Sequence, residues 1–453
     1  MDVRGKTITG RFFHAPRPDG IETLSGALIR IDAKGTIAGV TATTDRDHER
    51  IRLEAARDGS LVTLPPRTVV LPGFVDLHIH APQYPQLGTA LDIPLEVWLQ
   101  KYTFPLEARY ADLAFARRSY EALVGDLLAS GTTTALYFGT IHQAATRLLA
   151  EICLARGQRA LVGKVAMDDP AICPPFYRDA SARAAIEGTR ALIDHLAALP
   201  GNDGLVRAVA TPRFLPACSD PLLEGLGELV AACGCHVQTH CSESDWEHGH
   251  AISRFGCTDT LMLDRFGLLT RHTVLAHSNF ITGEDMDLIA ARGGAVAHCP
   301  LSNAYFANAV FPVRAALARS VRVGLGTDIS GGPSASMLEV QRMAVVASRM
   351  LEGGVNPVLP ADRRGRPGAR IDIPLAFHLA TAGGADALGL PVGSFAAGRQ
   401  FDAVLVDPDA AGSTLRLFED VDTEAGLLEK TVYTASRANL RTIWVDGKTV
   451  AGG

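Results

Sequence analysis

The chemistry in this chain is concentrated in a few histidines and carboxylates. Asp76-Leu77-His78-Ile79-His80 closes an apolar run. Side chains two apart on a strand share a face, so His78 and His80 point the same way, and two imidazoles on one face can hold one metal ion. Further apolar runs end in His240, His277 and Asp328. A lone strand-end histidine is more often structural than a ligand, but here five polar residues each end a run of the same kind. Histidine nitrogens with a carboxylate oxygen suit a borderline cation such as zinc, with a position left open for water. Glu243, three residues after His240, falls near such a water but off the metal, where a carboxylate can shuttle protons. A helix-start glutamate favoured by the helix dipole is the plainer alternative, and the company of the five other residues favours the proton role.

These residues need a scaffold that brings strand ends together. Eight short apolar runs occupy residues 69–80, 132–138, 160–167, 205–211, 235–240, 273–277, 295–298 and 321–328. Helix-like stretches lie between them, among them 113–128, 182–199, 221–232 and 283–291. Strands alternating with helices predict a parallel sheet, and eight such units predict an α/β fold of the closed (β/α)8 TIM-like kind, with its site on the rim where the strands end. Segment 81–111, with Pro82, Pro85, Pro94 and Pro105, follows the first strand, where a substrate-covering loop belongs. Strand candidates at 27–32, 36–40, 401–406 and 442–445, with a hairpin signal at Asp446-Gly447, predict a small flanking β domain built from both chain ends. The expected division is 1–68 and 395–453 for the small domain and 69–394 for the barrel.

Composition narrows the classes. The 453 residues are 47% hydrophobic and 20% charged, with a formal net charge of −6. That is globular composition without a basic surface, so no nucleic acid is expected as a partner. No apolar run approaches the ~18 residues of a membrane span, and the first residues lack the apolar core of a secretory leader. The eight cysteines are scattered with no C-x-x-C pair, as in reduced cytoplasmic proteins. Cys233-Gly-Cys235 reads as buried packing. His248 and His250 read as a solvated helix face. Gly324-x-Gly326 lacks the spacing of a dinucleotide site. His298 either lines the pocket or is a hydrogen-bonded core residue. No lysine is expected to bridge two metals from a strand end.

Pro72-Gly73-Phe74-Val75-Asp76-Leu77-His78-Ile79-His80 resembles the opening signature of the amidohydrolase superfamily. Closer resemblance, to the guanine deaminases, lies in His80-Ala81-Pro82-Gln83-Tyr84, Trp98-Leu99-Gln100-Lys101-Tyr102-Thr103-Phe104-Pro105, Gly131-Thr132-Thr133-Thr134 and Thr211-Pro212-Arg213-Phe214. It extends to His240-x-x-Glu243, His298-Cys299-Pro300 and the stretch from Gly324 to Gly332, and spans roughly residues 65–405. The resemblance implies one zinc per subunit held by His78, His80, His240 and Asp328, with His277 beside the metal water or as a looser ligand. It also implies a homodimer and the substrate guanine. Glu243 would carry a proton from water to N3 of the ring, and Asp328 one to the leaving amine. An arginine fork suits the acceptors O6 and N7, so Arg213 is the candidate reader. Gln83 can donate and accept. Phe214 and Trp98 could pack on the base, and His240 would serve both ligand and substrate sets. The alternatives are surface pairing for Arg213 and ordinary loop packing for Trp98. Two positions depart from the family pattern: Leu301 stands where Asn or Thr often follows His-Cys-Pro, and Ser278 where many members have Gly. Rival readings are deamination of another purine or a triazine ring, and an inactive barrel used as a binding scaffold.

Overall fold

The computed structural model describes residues 2–418 and 420–452. Its central sheet carries eight parallel strands in chain order: Phe74–His80, Thr132–Phe138, Arg159–Gly163, Val206–Pro212, His236–Cys241, Thr273–His277, Ala295–His298 and Arg322–Leu325. Val165–Ala166 adds a short bridge to the fourth. The barrel closes between its first and last strands, where Asp328 N–H donates to His78 O at 2.8 Å and His80 N–H to Ile329 O at 2.8 Å. The parallel barrel with a flanking sheet is therefore the observed architecture.

The closure explains the Gly324-x-Gly326 pattern. A Cβ on Gly326 would stand 2.9 Å from both His78 Cβ and Cys299 Sγ, and one on Gly324 2.5 Å from Leu77 Cδ1. The glycines let the eighth strand approach the first, at the point where the histidine pair is carried.

The flanking sheet runs in the order Lys448–Gly452, Leu440–Val445, Ala403–Val406, Val69–Pro72, Thr7–Arg17, Gly20–Ile31, Ile37–Thr41, with Leu61–Thr63 on Thr7–Arg17. Both chain ends contribute, and Val69–Pro72 joins them. The apolar run 69–80 is thus two strands, one in each sheet. It breaks at Gly73, where a Cβ would lie 2.1 Å from Thr133 Oγ1; nothing in a uniformly apolar run marks that bend. Asp446 and Gly447 both have positive φ, 48° and 71°, as the tight hairpin between Val445 and Lys448 requires. Arg159, at the start of the third barrel strand, ties the units together by donating to Asp402 at 3.1 Å and Asp446 at 2.6 Å.

The expected helices form at Leu113–Ala129, Ala182–Ala197, Asp220–Cys233 and Gly283–Arg292. Their starts follow local chemistry: Ser181, Ser219 and Thr282 accept hydrogen bonds from first-turn N–H groups. Segment 81–111 is not an open loop. It winds as short helical pieces, Ala81–Gln86, Leu95–Trp98, Leu99–Thr103, Phe104–Ala108 and Arg109–Ala111. Pro82 and Pro105 fall in first turns, where proline costs no hydrogen bond. No helix among the described residues is long and apolar enough to cross a membrane.

Candidate metal centre and its cleft

The five strand-end residues meet at one point. His78 Nε2 lies 3.2 Å and His80 Nε2 3.6 Å from Asp328 Oδ1. His80 Nε2 and His240 Nε2 are 3.0 Å apart. His277 Nε2 is 3.8 Å from Asp328 Oδ2 and 3.7 Å from Glu243 Oε1. Ligand atoms of His78, His240 and His277, and likewise of His78, His80 and Asp328, fall within 4.8 Å of one another. All are buried.

The donors fit a cation. Buried Nε2 atoms of His78 and His277 have no hydrogen-bond partner, a cost that a metal ion removes. Burial pushes the His78, His80 and His240 imidazoles well below their ordinary value, leaving the neutral form that ligates. His240 Nδ1 is set by Arg213 O at 2.5 Å and His277 Nδ1 by Asn303 Oδ1 at 2.9 Å, so each presents Nε2 inward. The single Phe138 ring packs on His78, His80 and His240 at 4.8–4.9 Å between centroids.

Position carries backbone strain. His277, Ser278 and Asp328 have φ of 67°, 54° and 50°, a left-handed conformation that non-glycine residues adopt at a cost. It turns the strand ends sharply at the histidine cluster.

Glu243 precedes the helix Asp245–Phe255, just outside its Ser244 cap. Its main chain is pinned on both sides, N–H to Glu247 Oε2 at 2.7 Å and C=O from Asn279 Nδ2 at 2.9 Å. Burial, then the Asp328 charge, raise its carboxyl well above the usual range, and burial also raises Asp328.

Above these groups is a cleft lined by His80, Gln83, Leu95, Trp98, Leu99, Arg213, Phe214, His240, Glu243, Phe306, Asp328 and Gly331. Gln83, Trp98, Arg213 and Phe214 are thus brought onto its wall, while His78 and His277 lie beneath.

The chain matches the Amidohydrolase family over residues 69–450. It belongs to that family. A Schizosaccharomyces pombe relative named probable guanine deaminase is 37% identical over 450 residues, covering 98% of this chain and 83% of that one. Guanine deaminase of Homo sapiens is 34% identical over 449 residues, 97% and 95% of the two chains. Guanine deaminase from C. acetobutylicum, solved with guanine in its active site, superimposes with a TM-score of 0.86 at 28% identity, covering 98% and 99%.

Several features of this amidohydrolase escaped the sequence reading. Arg213 is no surface residue: its guanidinium is buried and forked on Glu107, at 2.7 and 3.1 Å. Burial opposes its charge, but Glu107 outweighs this and holds it above its ordinary value. Glu107, Asn303, Phe138 and Phe306 carry no spacing signal; only the folded path of their segments brings them to the site. His298 is buried among core groups near Phe311, 5.7 Å between rings, and does not line the cleft. Its burial lowers it to about 3. His248 and His250 are half-buried rather than solvated; His248 meets Ser242 Oγ at 3.1 Å. Cys233 is exposed, because it ends its helix at the surface. Lys164 does stand at the end of the third strand, but its Nζ is spent on Asp179 Oδ1 at 2.7 Å and Val165 O at 3.0 Å.

Proposed function

We propose that this chain hydrolyses guanine to xanthine and ammonia. The observation that carries the reading is the cleft itself: a floor of convergent histidine nitrogens and a carboxylate, beneath a wall bearing a fixed guanidinium and a fixed amide. The relatives named as guanine deaminases support it across nearly the whole chain. His78, His80, His240 and Asp328 would hold one zinc per subunit, with His277 beside it. A bound zinc ion supplies Lewis acidity, bringing a water's pKa towards ~7. Cytoplasmic placement and a homodimer belong to the same proposal. Eight cysteines free of disulfides support the first, and the family resemblance the second.

The remaining chemistry is assigned to the chain's own groups. Arg213 donates to O6 and N7, and Gln83 reads the adjoining edge, placing C2 over the histidine cluster. Glu243 takes a proton from the attacking water and passes it to N3, which makes C2 electrophilic. Oxygen adds at C2 as N3 gains the proton. Asp328 turns Oδ1 towards His78 and His80 and leaves Oδ2 facing His277; that second oxygen takes the remaining hydroxyl proton of the C2 adduct and passes it to the leaving amine. Breaking the C2–N bond releases ammonia and leaves xanthine. Trp98, Phe214 and Phe306 exclude bulk water, which strengthens each of these contacts. A panel of guanine, other purines and triazines, read by ammonia release, tests the reading. Guanine should exceed every other ring by at least tenfold; a triazine as the best substrate would replace it.

A further inference from the structure

Glu107 does not line the cleft, yet two of the polar side chains that do, Arg213 and Gln83, both donate to it. Arg213 donates one N–H from each terminal nitrogen, to Oε2 at 2.7 Å and Oε1 at 3.1 Å, and Gln83 Nε2 donates to the same Oε1 at 2.9 Å. All three residues are 0–2% exposed. The helix Phe104–Ala108 that carries Glu107 also places the Phe104 ring 5.0 Å from the guanidinium.

The arrangement leaves little freedom. A carboxylate only accepts, and Ser330 N–H, which reaches Gln83 Oε1 at 3.3 Å, only donates. The Gln83 amide therefore has one orientation, with one N–H and one lone-pair site left for a ligand. Arg213 has five N–H groups, two of them taken by the fork, and the rest are held in a fixed plane. Two side chains that read a ring edge are thereby locked by one anion that the ligand never touches.

We propose that Glu107 is a positioning residue that gives the cleft its preference for a ring bearing a 6-oxo group, acting through Arg213 and Gln83. The proposal rests on the reading of this cleft as a purine site. Binding of hypoxanthine, which carries that oxygen, is compared with purine, which lacks it, by calorimetry on the zinc-loaded protein. A hydrogen bond from a charged donor is worth about 10–100-fold, so the parent should prefer hypoxanthine by about that factor.

Glu107→Gln keeps the shape, but an amide cannot accept both fork bonds. Hypoxanthine affinity should fall at least tenfold, purine affinity less than threefold, with zinc content unchanged. Equal losses for both ligands would mark a packing role and overturn the proposal. So would a parent with no preference. If Glu107→Gln does not fold, the double variant with Arg213→Met removes both charges together. It and Arg213→Met alone should bind the two rings equally; a parental ratio in either overturns the proposal. A parent that keeps the preference but releases no ammonia from guanine defeats the deaminase reading alone.

Discussion

Replacing Glu243 by glutamine isolates proton transfer from metal binding. The two side chains have the same shape, and Glu243 is held by its main chain, through Glu247 and Asn279, so the substitution leaves the anchoring bonds in place. None of the histidine Nδ1 partners, Arg213 O and Asn303, involves the Glu243 carboxylate. What disappears is an oxygen able to take a proton, 3.7 Å from His277 Nε2. General acid–base catalysis is worth about 10²–10⁴-fold, or about 3–5 kcal/mol on the barrier at 1.36 kcal/mol per decade. The same carboxylate serves both water and N3 in the proposed reaction, so the expected loss in kcat is in the upper half, at least 10³-fold. KM should change less than threefold. Xanthine formation at saturating guanine, with zinc measured on the same sample, gives the answer. Full zinc with turnover within tenfold of the parent would remove Glu243 from proton transfer.

Other substitutions probe the geometry around it. Ser278→Gly should relieve the cost of φ 54° and remove a buried hydroxyl without a partner, stabilising by about 1 kcal/mol; a lower melting temperature would contradict the strain argument. Gly331→Ala would put a Cβ 2.9 Å from Asp328 Oδ2 and 3.2 Å from Phe306, so kcat should fall at least tenfold and zinc be lost to a chelator more readily. His236, whose burial lowers it to about 4, lies below the unfolded value of 6.5, so the unfolded chain binds a proton that the folded one refuses. Its stabilising effect is full above pH 6.5 and is lost as pH falls towards 4, about 2 kcal/mol between pH 7 and 5. Denaturant unfolding of the parent and His236→Gln at both pH values should show that difference shrinking in the variant.

The clustering of the candidate metal ligands was legible because they follow a rule that survives folding. Strand side chains alternate, parallel strands end on one rim, and His78, His80, His240, His277 and Asp328 each end a run. The wall of the cleft was half legible. Gln83, Trp98, Arg213 and Phe214 came through family resemblance and do reach the cleft, but the anion that orders two of them did not. Glu107 lies 106 residues from Arg213, and its approach depends on how segment 81–111 winds, which four prolines disguised as open loop. Asn303 is hidden in the same way by the turn that follows the seventh strand. The split at Gly73 was invisible for another reason: residues buried on both faces are apolar on both, and a run of them carries no periodicity to interrupt.

Ammonia release from guanine, measured before chelation, after chelation and after zinc is restored, tests the central claim most directly. The account predicts turnover in the first state, at least a 10³-fold loss in the second, and recovery in the third at one zinc per chain. Undiminished turnover in protein shown to be free of metal would contradict it.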